Sequence, residues 1–262
     1  MSSLMKGTAI LTIGLFLSKV LGLIYIFPFY AIVGEENIGL YQYAYIPYSI
    51  MLSLAISGIP LAVSKFVAKY NAVGDYETGR RLLRSSTKIM VLSGLLAFLF
   101  LYVMATPIAH LVINNDDQIY TVQDVAEVIR WVSFALIVVP FMSLLRGFFQ
   151  GNGHYLPTSI SQLIEQIARI IILLSGSFIV VVLLDQDVKI AINFAVFAAF
   201  IGAIAGLIVL YYYWKKLKPA LDLNLQKSIS PAEKQPLSDI YKEILTYSIP
   251  IVFVGLANPL FQ

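Results

Sequence analysis

Apolar residues in this chain fall in long, nearly unbroken runs, without the alternation of a strand or the single stripe of a soluble helix. Six runs stand out, at 7–33, 43–64, 87–113, 128–148, 158–184 and 190–214. Each approaches or exceeds the ~20 residues a helix rising ~1.5 Å per residue needs to cross ~30 Å of hydrocarbon. A seventh run starts near Ile244 and meets the last residue, Gln262, before a helix can cross. The pattern predicts an all-α integral membrane protein. We expect a six-helix lobe over 1–214, a cytoplasmic linker over 215–242 and the truncated start of a second lobe over 243–262. The linker is punctuated by Pro219, Pro231 and Pro236. A helix re-entering from the same side after six spans reads as a parallel repeat, a design that places substrate sites between halves near the midplane.

Composition agrees with the pattern. The chain is 59% hydrophobic and 13% charged, against about 45–50% and about 25% for soluble domains. The first run is too long for a signal h-region and lacks a small-residue cleavage site, so it reads as an uncleaved helix.

Charge is distributed by side. Lys65, Lys69, Arg80, Arg81, Arg84 and Lys88 lie between the second and third spans, and Lys215, Lys216, Lys218, Lys227, Lys234 and Lys242 follow the sixth. Glu35, Glu36, Asp116, Asp117, Asp124, Glu127, Asp185 and Asp187 occupy the opposite side, with only Arg130 and Lys189 among them. The positive-inside rule then puts the N-terminus and the basic loops in the cytoplasm. Within the basic segment, Phe66, Tyr70 and Val73 follow i, i+4, i+7 spacing. That spacing fits a helix lying in the membrane interface, ended by Gly74-Asp75; a solvated loop is the plainer alternative. Tyrosines and tryptophans at run ends fit interfacial belts.

Several chemistries are excluded. There are no cysteines, and His110 and His154 have no partner at ligand spacing, so no metal site is expected. Zinc-protease, phosphate-loop, nucleophile-elbow and dinucleotide motifs are absent, so neither an enzyme nor a cofactor is expected. A net charge of +3 gives no case for nucleic acid. Any pumping must draw on a coupling ion, the membrane potential or a downhill substrate.

Charges inside the runs are the informative exceptions, since each costs roughly 2.5–3.5 kcal/mol to insert. Lys19, Glu165 and Arg169 are the three that stand out. Lys19 lies 12 residues past Gly7 and Arg169 lies 12 past Pro157, so both sit ~18 Å deep. Glu165 and Arg169 are i and i+4 and can pair, which leaves Lys19 uncompensated and the group at +1. Two readings stand: an ion network that merely ties helices together, or a wet cationic cavity that receives an anion. Pro28, Ser57-Gly58-Ile59-Pro60, Pro107 and Pro140 interrupt the spans, as helices beside cavities often are.

Three separated segments carry a family resemblance. The run from Leu145 through Arg146, Gly147, Gly151, Gly153 and Pro157 to Glu165 and Arg169 resembles polysaccharide biosynthesis transporters of the multidrug/oligosaccharidyl-lipid/polysaccharide exporter superfamily. Phe16-Leu-Ser-Lys19-Val-Leu-Gly22 is similar to the first helix of lipid II flippases in that superfamily. Ser57-Gly-Ile-Pro60 through Lys65, with Lys69 to Asp75, resembles the stage V sporulation branch. The resemblance implies two six-helix lobes around a cavity that opens alternately to each side. It implies an undecaprenyl-linked anionic saccharide as partner, with its pyrophosphate met by Lys19 and Arg169. Glu165 would orient Arg169 or exchange a proton. Two positions depart from the flippase pattern: Lys19 replaces an arginine, and Tyr25 stands where a second arginine is usual. The rival functions are a drug antiporter of the same superfamily and a non-transporting scaffold for cell-wall enzymes.

Overall fold

The computed structural model describes residues 3–56, 58–113, 120–229, 236, 238–244 and 246. Ser57, the acidic pair Asp116 and Asp117, and the expected seventh helix beyond 246 lie outside the described residues. Ten α-helices are described: α1 Ser3–Ile24, α2 Ile26–Val33, α3 Ile38–Ile56, α4 Ile59–Ala72, α5 Tyr76–Val103, α6 Ala105–Val112, α7 Val122–Ser133, α8 Ala135–Gly151, α9 Leu156–Phe178 and α10 Val188–Gln226. They form six stretches long and apolar enough to cross a membrane: Met5–Val33, Glu35–Ala72, Tyr76–Val103, Val122–Gly151, Leu156–Leu183 and Val188–Gln226.

Prolines set two of the breaks within spans. Proline has no N–H to give the carbonyl four residues earlier. Pro28 therefore deprives Ile24 and Pro107 deprives Val103, and these are the last residues of α1 and α5. Gly58 breaks α3 from α4 at φ +67°, a left-handed conformation that a side chain would resist. Pro60 then opens α4, where its missing N–H costs nothing.

The basic segment 65–88 is not a loop. It is the end of α4, a tight turn at Gly74 (φ +80°), and the start of α5, capped by Asp75 accepting from the Thr78 amide at 3.0 Å. Phe66 and Tyr70 are covered by protein, not offered to lipid headgroups. They are buried in a core cluster with Leu82, Met90, Leu144 and Phe148, and only Val73 of the trio is exposed. The helix of the third span accordingly starts at Tyr76, ahead of the apolar run that begins at 87, and it breaks at Met104.

Glycines decide how closely the helices pack. Gly147 and Gly151, four apart on α8, face the Pro60 and Ser64 backbone of α4, where any side chain would overlap a carbonyl. Gly7, Gly14 and Gly22 recur every two turns on α1 and lie against Tyr155, Ser159 and Gln166 of α9 and its N-terminal flank. The Ser159 hydroxyl donates to the Ile10 carbonyl across that seam at 3.0 Å. Helix α1 otherwise buries almost nothing, so this glycine seam is its main attachment. Helix α10 packs along α9 and α8, and the largest apolar core lies among α3, α5, α7, α8 and α10.

At the acidic end, Thr121 and Asp124 form a capping box on α7. Asp124 also takes Lys189 at 2.8 Å, so that cation of the acidic side is neutralised locally. At the basic end α10 continues through Pro219 to Gln226. Ile240 and Ile244 are buried in the cluster that holds Phe66 and Leu82.

Candidate functional site

Helix α9 carries one polar face in an apolar span. Gln162, Glu165, Gln166 and Arg169 follow i, i+3, i+4, i+7, so they share a stripe along ~10 Å of helix. That stripe faces a cavity of about 700 Å³ bounded by α1, α3, α8 and α9. Lys19, Glu165 and Arg169 all line it, as do Ser18, Tyr25, Tyr45 and Arg146.

Arg146 is the member of the charged cluster that the sequence did not single out. Its guanidinium donates to Glu165 Oε2 at 2.8 Å, while Arg169 donates to Oε1 of the same carboxylate at 2.8 Å. Arg146 also donates to Ser161 Oγ at 2.7 Å, and Ser161 donates on to the Gly206 carbonyl at 3.0 Å. The three ionic side chains are only 12%, 13% and 19% exposed for Arg146, Glu165 and Arg169. The i, i+4 pair expected between Glu165 and Arg169 is present. The expected +1 group is corrected to three cations against one carboxylate, an excess of two positive charges.

Space for the cluster comes from α10. A Cβ on Gly206 would lie 3.0 Å from Met142 Sδ and 3.2 Å from Arg146 Nη2, and one on Gly202 would lie 2.8 Å from the Glu165 carbonyl. The small-xxx-small pair is thus the floor under the ion triad.

Hydrogen-bonding capacity remains unused around the cavity. Ser18 Oγ, Gln162 Oε1 and Arg169 Nε are buried with no partner among the described residues. Lys19 has no ion pair among the described residues and is exposed. Buried polar atoms are nearly always partnered, so three such atoms on residues lining one cavity leave room there for water or another polar group. Beside it, Tyr41 stacks on Tyr45 with centroids 5.4 Å apart, and Tyr45 meets Tyr48 edge-on at 5.4 Å. Further along the α1–α9 seam, toward the basic end, a smaller cavity of about 370 Å³ is lined by Lys6, His154 and Lys216. Burial holds the His154 imidazole below its ordinary pKa. Among the described residues no group of acidic or histidine side chains is placed to hold a metal.

The all-helical fold with six candidate spans matches about half of solved MATE- and MOP-type transporter structures. An outward-facing multidrug-resistance MATE transporter of that superfamily aligns with a TM-score of 0.65 at 16% identity, over 96% of this chain and 52% of that one. A MOP superfamily transporter from Pyrococcus furiosus, reported for the reversed polarity of its binding pocket, aligns at 0.61 and 14%, over 96% and 52%. The chain belongs to the polysaccharide biosynthesis protein family, which matches residues 4–262. It is 44% identical to the lipid II flippase MurJ of Bacillus subtilis, over the whole chain and 48% of that protein. It is 26% identical to the stage V sporulation protein B of the same organism, over 98% of the chain and 48% of that protein. The chain spans about half the length of these curated relatives. The family is one of transporters, not enzymes.

Proposed function

We propose that this lobe forms half of a flippase that carries an undecaprenyl-linked anionic saccharide across a bacterial cytoplasmic membrane by alternating access. One observation carries the reading: three cations share a cavity with a single carboxylate, and Lys19 among them has no ion partner. A pyrophosphate linker matches that excess of charge and the unused donors beside it. The 44% identity to a lipid II flippase supports a lipid-linked peptidoglycan precursor as the cargo. Lys19 and Arg169 engage phosphate. Glu165, gripped on both oxygens by guanidiniums, holds Arg146 and Arg169 in position. The basic ends face the cytoplasm, following the positive-inside rule. The cationic pocket of Lys6, His154 and Lys216 then lies on the cytoplasmic approach to the cavity. A drug-cation antiporter is disfavoured by the same positive excess.

Complementation tests the proposal. The full-length gene encoding this chain is expressed in a bacterium depleted of its lipid II flippase, as wild type, Lys19→Ala and Arg169→Ala. The proposal expects rescue by wild type and none by equally expressed variants. Equal rescue by the variants makes the charges structural, and failure of wild type removes the substrate assignment.

A further inference from the structure

A cavity of about 880 Å³ lies between α5, α8 and α10. It shares no lining residue with the cavity that holds the ion triad. Two of its walls are apolar: Phe141 and Leu145 come from α8, and Ile204, Leu207 and Ile208 from α10. The third wall is cationic. Arg80, Arg84 and Lys88 stand at i, i+4 and i+8 of α5, a row ~12 Å long on one helix face. Like charges at this spacing repel, and an apolar surface opposite them gives no relief.

Only one of the three is committed to protein. Arg80 donates to Asp222 at 3.0 Å and lies over the Trp214 ring, 4.8 Å from its centroid. Arg84 and Lys88 have no ion pair or hydrogen bond among the described residues, and both are exposed. Length narrows the choice of occupant. Ile204 to Trp214 is ten residues of helix, ~15 Å, which is one leaflet's share of a hydrocarbon core ~30 Å thick. The aromatic end, Tyr211 and Trp214, lies with Arg80, the residue type that sits where headgroups meet water, and Arg84 and Lys88 follow one and two turns further along α5. A free anion leaves the apolar walls unused, and a neutral lipid leaves Arg84 and Lys88 unmatched.

We propose that this groove is a binding site for an anionic phospholipid of the leaflet at the basic end. Arg84 and Lys88 hold its phosphate, Lys88 reaching toward the headgroup on its flexible stem. One acyl chain lies along Phe141, Ile204 and Ile208. The site is distinct from the cargo cavity but is built on the other faces of α8 and α10, the helices that carry Arg146 and Gly206.

The chain has two tryptophans, and Trp214 lines the groove. In a background where every tryptophan except Trp214 is replaced by Phe, the full-length protein is reconstituted in vesicles doped with brominated phosphatidylglycerol or brominated phosphatidylcholine, and Trp214 quenching is followed. The proposal expects the anionic lipid to quench at a lower mole fraction than the neutral one. Arg84→Gln with Lys88→Gln abolishes that preference, by about fivefold for each cation removed. Lys216→Gln with Lys218→Gln, at the same end but outside the groove, leaves it in place. Equal quenching by both lipids, or a preference that survives loss of Arg84 and Lys88, overturns the proposal. Quenching by neither lipid overturns it as well, because the groove is then filled by polypeptide.

Discussion

Arg146 on α8 and Glu165 on α9 meet at 2.8 Å, and that contact changes the meaning of the cavity. Glu165 also takes Arg169 at 2.8 Å, so the one acid of the cluster is shared between two guanidiniums. No carboxylate there remains for Lys19, and the excess charge is left to whatever enters.

Removing the shared carboxylate strands two cations in a mostly buried place. Glu165→Gln is expected to cost about 3–5 kcal/mol, the usual penalty for breaking a buried ion group from one side. The thermal unfolding midpoint in detergent should fall clearly. Replacing Arg146, Glu165 and Arg169 together by Met is expected to recover most of that stability while abolishing transport. Recovery of transport as well would make the three charges structural only.

Lys19 should separate stability from function. It has no ion pair to lose, so Lys19→Gln is expected to shift stability by no more than about 0.5 kcal/mol. Transport of a lipid-linked saccharide in vesicles should nevertheless collapse, and Lys19→Arg should retain it. A matched loss of stability and transport would assign Lys19 a structural role.

Six spans, their alternation and two members of the ion triad were legible because burying charge in hydrocarbon is costly enough to single out each exception. Arg146 was not. It lies two residues inside the end of the run 128–148, where an arginine ordinarily reaches the interface, and its partner is on another helix. One signal was present in the sequence: the i, i+3, i+4, i+7 polar stripe Gln162, Glu165, Gln166, Arg169 announces a wet face on α9. The burial of Phe66 and Tyr70 was hidden for a different reason. An amphipathic spacing says that one face is apolar, and it does not say whether lipid headgroups or α5 and α8 cover it.

Helix contacts made through glycine give a graded test. Gly147→Ala places a methyl against the Pro60 carbonyl, a backbone atom that cannot step aside, and is expected to destabilise by about 1–3 kcal/mol or more. Gly176→Ala, whose Cβ would lie 3.6 Å from Phe194 Cβ, makes an ordinary contact and should be nearly neutral. Unfolding midpoints of the two variants check the order.

His154 adds a pH dependence of known sign. Burial lowers its pKa in the folded protein, so the fold favours the neutral ring. That contribution is present in full above the unfolded pKa of about 6.5 and is lost as pH falls through the folded value. Unfolding midpoints at pH 7.5 and 5.5 should differ less in His154→Gln than in wild type.

The central claim is that the α1–α9 cavity recognises anionic lipid-linked cargo. Its most direct test is equilibrium binding of an undecaprenyl-pyrophosphoryl saccharide to the purified full-length protein, against the same lipid carrying a neutral head. The account predicts binding of the charged lipid only, weakened at least about tenfold in Lys19→Gln and in Arg169→Gln, the scale of one lost charge-assisted hydrogen bond. Equal affinity for the neutral lipid, or unchanged affinity in both variants, would contradict it.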